Sequence, residues 1–256
     1  MKLCYGQSPC ADFKELVRLM PDKEFMNLTR STVPLLFYWS DGTAALERLC
    51  RKLEIGVGDG TLCFEYAVES LSGNKSSFTD IMYLSEHVAI AIEAKSTEPQ
   101  YDTVKEWLQR GTDIPHRRDV ARHWLAMIEK RTGRRVDDDS VDPLIYQMVH
   151  RLASLCSIDT ACPVLVYQLF EVEQPTLGGQ NTADYESSLK ELRRALDPER
   201  RIKVYLHTVH MKKTSDFSQT KIRLEAARAE DRPCIVRKAL LGQSLFQIRG
   251  ESTISV

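Results

Sequence analysis

Hydrophobic and polar positions alternate most regularly between Val88 and Lys95. Read as a strand, whose side chains point to opposite faces in turn, the segment places Val88, Ile90, Ile92 and Ala94 on one face and Ala89, Ala91, Glu93 and Lys95 on the other. A shorter apolar run opens after Asp80, and Ser85-Glu86-His87 between the two runs supplies a turn. The layout predicts a β-hairpin whose outer ends carry Asp80, Glu93 and Lys95.

Helical spacing dominates much of the remainder. Residues 9 to 20 read as a helix with Ser8 as N-cap and Pro9 in its first turn, and the apolar run Val33 to Trp39 is followed by Asp41, a cap for a helix through Leu53. Gly56, Gly58 and Gly60 make a turn, and the stretch from Thr61 to Leu71 reads as a helix with Glu65 and Glu69 one turn apart. Past the hairpin, residues 101 to 110 form a helix turning Val104, Trp107 and Leu108 inward, and a longer helix after Pro115 carries Val120, Trp124, Met127 and Ile128. Residues 131 to 139 read as a polar loop. Asp142-Pro143 starts another helix, with a core stripe of Ile145, Met148, Val149, Leu152 and Cys156 and a polar stripe of Gln147, His150, Arg151 and Ser154. Val164 to Phe170 reads as a strand covered on both faces, Gly178-Gly179 as a break, Tyr185 to Leu196 as a helix and Ile202 to His207 as a strand. A helix over 216 to 228 and one or two strands between Cys234 and Ile248 complete the reading. The sum is an α/β protein with a mixed central sheet and flanking helices. It forms one domain over 1–256, with a core at about 60–210, an N-terminal helical extension over 1–58 and a C-terminal extension over 211–256.

Composition narrows the function classes. With 43% hydrophobic and 28% charged residues the chain can bury a large core, and a net charge of −1 exerts no global pull on nucleic acid, so any such partner must meet a local basic face. Arg117, Arg118 and Arg122, lying off the apolar stripe of their helix, are candidates for phosphate contacts. No apolar run is long enough to cross a membrane and Met1-Lys2-Leu3-Cys4 does not lead into a signal-peptide core, so a cytoplasmic protein is expected. The seven cysteines include no C-x-x-C pair and fall mostly in apolar stretches, as reduced thiols would. His207 and His210, three apart on a strand, point to opposite faces and do not share a metal.

The chemistry sits in the hairpin. An ionised Glu93 or Lys95 on so apolar a strand is costly unless paired or holding a cation. Two carboxylates at the ends of adjacent strands repel, and a hard divalent cation relieves that repulsion; a lysine two residues on lies on the same face, within reach of an attacking water or a phosphate. Asp80, twelve intervening residues and Glu93-x-Lys95 resemble the motif of the PD-(D/E)xK, restriction-endonuclease-like nucleases, with Thr79 where that pattern has a proline. More narrowly, Thr79-Asp80, Glu93-Ala94-Lys95, Trp107-Leu108 and Tyr146-Gln147-Met148-Val149-His150-Arg151 resemble a little-characterised bacterial family of that superfamily, over roughly residues 60 to 170.

The resemblance implies a restriction-endonuclease-like core and a Mg²⁺- or Mn²⁺-dependent nuclease acting on nucleic acid, with DNA the expected substrate ahead of RNA and a homodimer compatible. By the same likeness Asp80, Glu93 and the carbonyl of Ala94 hold metal and Lys95 serves the attacking water. Glu65 or Glu69, with Glu69 favoured as nearer the hairpin, adds a carboxylate, and Gln147 and Arg151 meet the substrate. The competing expectation is a non-catalytic module of the same fold binding nucleic acid or a protein. An enzyme of another kind lacks support, since no G-x-S-x-G elbow and no cysteine with an evident histidine partner occur.

Overall fold

A computed structural model of the chain describes residues 1–71, 76–99, 101–110, 112–173 and 182–256. In order they form β1 (Lys2–Tyr5), β2 (Ser8–Cys10), α1 (Phe13–Leu19), α2 (Thr32–Tyr38), α3 (Gly42–Lys52), β3 (Gly60–Val68), β4 (Ser77–Ser85) and β5 (Val88–Lys95). There follow α4 (Val104–Gln109), α5 (Ile114–Thr132), α6 (Asp138–Val141), α7 (Tyr146–Cys156), β6 (Cys162–Val172), α8 (Thr182–Leu196), β7 (Lys203–Lys213), α9 (Ser215–Ala226), α10 (Arg232–Gly242) and β8 (Phe246–Ser255).

The strands make one mixed sheet in the order β2-β1-β3-β4-β5-β6-β7-β8. β3, β4 and β5 run as an antiparallel meander, β6 and β7 continue parallel to β5, and β8 closes antiparallel on β7. Helices cover both faces, as parallel strands require. On one face Leu16, Leu36, Leu46, Phe217 and Val236 pack with Ile90, Ile92, Val164 and Val166. On the other, Trp124, Ile128, Met148, Leu152 and Leu189 pack with Ala89, Ala91, Leu165 and Tyr167. The two faces expected for the 88–95 strand are therefore the two faces of the core, and the Ser85 hydroxyl ties the hairpin turn by accepting from the Val88 N–H at 3.1 Å.

Four expectations are corrected. Ser8 and Pro9 belong to β2, paired with Tyr5 and Cys4, and the first helix starts at Phe13, where the Asp12 carboxylate accepts the Glu15 N–H. Residues 60–68 are a strand, not a helix: Thr61, Phe64, Tyr66 and Val68 favour a pleated surface, and β3 pairs with β1 on one side and β4 on the other. The helix expected from Asp142 begins at Tyr146, since the backbone before it is already committed: the carbonyls of Asp142 and Leu144 accept the N–H groups of Lys105 and Val104. Cys234 lies in α10, and only β8 is extended in that region. The segments outside 60–210 contribute β1, β2 and β8 to the common sheet. The Gly178-Gly179 break lies outside the described residues. All seven cysteines are free thiols, and among the described residues no helix is long and apolar enough to cross a membrane.

Candidate active site

Glu93 stands near the end of β5, 1% exposed, and its two oxygens are taken by three donors. Oε1 accepts from Lys95 Nζ and from Gln147 Nε2, both at 2.7 Å, and Oε2 accepts from Arg151 Nε. Lys95 reaches Glu93 because residues two apart on a strand share a face. Gln147 and Arg151 reach it because residues four apart on α7 do the same. Arg151 extends the network: its Nη1 donates to Ser77 Oγ at 2.6 Å, and Ser154 Oγ donates to the same oxygen at 3.2 Å. His150 Nδ1 lies 3.0 Å from Ser77 Oγ. Burial, then the cations of Arg151 and Lys95, hold His150 well below its ordinary pKa, so the ring is neutral.

Asp80 lies on β4 beside Glu93. Its Oδ2 accepts the Ala94 N–H at 2.7 Å, beyond the last paired residues of the hairpin, Ile81 and Ile92. Glu65 arrives from the third strand. β3 pairs Phe64 with Ile81 and Tyr66 with Thr79, and between them Glu65 takes the left-handed φ of +54° opposite Asp80. A non-glycine residue in that region inside a strand is strained, and such strain gathers where a side chain is held for a purpose. Glu69 is exposed just past the end of β3. Of the two glutamates it is thus Glu65 that joins the acidic group, which corrects the preference for Glu69.

The three acids differ in their protonation. Burial opposes the ionisation of Glu93, but Arg151 and Lys95 outweigh it and hold the carboxyl below the usual range. Burial, then repulsion by Glu93, pushes Asp80 well above its ordinary value. Burial, then repulsion by Glu24 of the 3-10 turn Asp22–Phe25, pushes Glu65 up to about 7. Burial works against the charge on Lys95, yet Glu93 and Asp80 raise its pKa, so the amine is an ammonium. Glu93 opposes the ionisation of Asp80 and Glu65, and carboxyl oxygens are hard donors of the kind a divalent cation takes. Asp80 and Glu65 are both shifted towards the protonated form, and the Ala94 carbonyl belongs to the same end of β5. Among the described residues no three His, Cys, Asp or Glu side chains converge on one metal position.

The expected residues thus assemble: Asp80, Glu93, Lys95, Gln147, Arg151 and Glu65 are in one place. Arg117 and Arg122 are otherwise engaged, the first donating to the Trp107 carbonyl and lying 5.0 Å over its ring, the second paired with Glu129 at 2.5 Å and Asp138 at 2.8 Å. Sequence reasoning passed over Ser77, Tyr167 and Glu24. Tyr167 is readable only through register, since it sits opposite Glu93 on β6. Ser77 and Glu24 carried no signal that distinguishes them from solvated polar residues.

Fold and site define an α/β protein with an eight-stranded mixed sheet carrying a buried carboxylate, ammonium and guanidinium cluster at the end of a central strand. The chain belongs to the family described as Domain of unknown function (DUF6946), whose model matches residues 9–219. No curated protein and no solved structure matches it.

Proposed function

We propose that the chain is a Mg²⁺-dependent nuclease of the PD-(D/E)xK kind that hydrolyses phosphodiester bonds, in DNA rather than RNA. The observation that carries the reading is the meeting of Asp80, Glu93 and Lys95 in one buried cluster with Glu65 strained toward it. Asp80, Glu93, Glu65 and the Ala94 carbonyl are the groups that would hold the cation, which when bound lowers the pKa of a water and neutralises the scissile phosphate. Lys95, kept as an ammonium, is suited to donate to a phosphate oxygen or orient the water, not to remove its proton. Gln147 orients the Glu93 carboxylate through Oε1, and Arg151 brings a second cation for the phosphate, one whose planar fork suits its oxygens.

One observation favours a non-catalytic module instead: Glu93 is already neutralised by two cations, which a purely structural ion cluster would also achieve. Cleavage of plasmid DNA and of a labelled RNA in Mg²⁺ separates the readings. Wild type is expected to cut DNA, and Asp80→Ala and Lys95→Ala each to lose activity by about 10²-fold or more while keeping wild-type circular dichroism. Unchanged cutting by both folded variants rejects the assignment. A wild type that neither cuts nor takes up Mn²⁺ in calorimetry favours the module.

A further inference from the structure

Ser77 and His150 stand between two places. They close the Arg151 side of the carboxylate cluster, and they also line a cleft of about 500 Å³ between α4, α5 and the first turns of α7. Its other walls include Trp107 of α4, Arg117, Val120 and Trp124 of α5, and Tyr146 of α7. These walls are fixed by their own packing. The rings of Trp107 and Tyr146 stack with centroids 3.7 Å apart and 9° between their planes. Arg117 lies 5.0 Å over Trp107 and donates to its carbonyl, and His150 packs 5.1 Å from the Tyr146 ring. Helix packing accounts for Trp124, which is 2% exposed. It does not account for Trp107, Arg117, Val120, Tyr146 and His150, which stay half-buried around an open hollow.

The cleft adjoins the candidate active site. Ser77 precedes Asp80 by three residues of β4, a run of about 10 Å. One guanidinium joins the two: Arg151 Nε donates to Glu93 and its Nη1 to Ser77. A strand whose phosphate lies at the cluster thus brings an adjoining nucleoside to the cleft. Aromatic side chains and guanidinium groups are what unstacked bases pack against, and with His150 Nδ1 turned to Ser77 its Nε2 is the ring nitrogen for a base edge. A bare phosphate would not use the rings, and a purely apolar ligand would not use Arg117 or His150. The volume suits one base with its sugar. A base inside a duplex is stacked on both faces and paired at its edge, so it cannot enter without leaving the helix.

We propose that the cleft takes an unpaired nucleobase of the DNA strand being cut. The substrate is then DNA that exposes such a base beside the scissile phosphate, either a single strand or a supercoiled duplex opened at that point. The inference rests on the nuclease reading for the strand that carries the base here, and it adds to that reading the class of DNA.

The test is fluorescence anisotropy of the full chain in EDTA, where no strand is cut. The probes are a labelled oligothymidylate of about 12 nucleotides and an abasic strand of the same length, which offers the same phosphates without bases. Wild type is expected to bind the thymidylate about tenfold or more tightly than the abasic strand. Val120→Trp, which fills the hollow from α5, is expected to lower thymidylate affinity to the abasic level and to leave abasic affinity unchanged. Equal affinity of wild type for the two strands overturns the proposal, whether or not the variant folds. A Val120→Trp chain with wild-type circular dichroism that still prefers the thymidylate overturns it too. The two readings fail separately. Plasmid cutting together with equal affinities removes the base cleft and leaves the nuclease, whereas a base preference that Val120→Trp abolishes, in a chain that cuts nothing, keeps the cleft and removes the nuclease.

Discussion

At Glu93 burial and pairing oppose each other, and pairing wins because three donors converge on two oxygens. A buried ion cluster of this kind adds little over an apolar replacement, but losing one partner strands the rest. Arg151→Met is therefore expected to cost about 3–5 kcal/mol in urea unfolding, and Glu93→Gln in the same chain to recover part of that loss. Coupling near zero in the double-mutant cycle would contradict the pairing. Glu65 gives the opposite sign. Its folded pKa of about 7 exceeds its ordinary 4.5, so between those values the native state holds a proton that the unfolded chain releases, and stability falls as pH rises through that window. Wild type should lose on the order of 2 kcal/mol between pH 4.5 and 7 from this group, a loss absent in Glu65→Gln when unfolding curves are compared across pH. Glu93, held low, contributes the reverse: stability present above the usual carboxylate range and lost as pH falls through its lowered value. Asp80, Glu93 and Lys95 were legible as a group because a strand period of two and one turn suffice to place them, and Gln147 and Arg151 because both fall on one stripe of α7. Ser77 was not, since a serine at the start of a strand has no pattern until Arg151 arrives from α7.

Among the elements, the hairpin and the helices with a one-sided apolar face were readable, while β3 was not. Leu62 and Phe64 pack into one core and Cys63 into the other, and a strand buried on both faces loses the alternation that identifies it. The i and i+4 spacing of Glu65 and Glu69 suits a helix face as well as a strand face, so it could not arbitrate. Gly60 is the element's fixed point. A Cβ there would lie 2.5 Å from the Tyr83 ring and 2.6 Å from the Leu84 carbonyl, so β3 can lie against β4 only with a bare backbone at this position. Gly60→Ala should destabilise by about 1–3 kcal/mol. If its denaturation midpoint matches wild type, the close approach of β3 to Tyr83 is not as described.

At the scale of the whole molecule, one sheet carries both ends of the described chain, with β2 at one edge and β8 at the other. β8 shields β7 along its length, and the Val256 N–H continues the pairing to the Val204 carbonyl at 3.0 Å. Removing residues 246–256 would expose the long β7 as an edge. The shortened chain should elute as aggregate in size-exclusion chromatography, and a monomer with a wild-type melting curve would mean that β8 is dispensable. The sequence alone determined the α/β class, the hairpin with its three charged groups, the polar stripe of α7 and the covered strand β6, because each follows from a local period or a cap. Tertiary structure decided which glutamate joins the acids, what each oxygen of Glu93 binds, and the edges of the sheet. Those outcomes depend on pairing and burial between residues dozens of positions apart, and no local pattern encodes them.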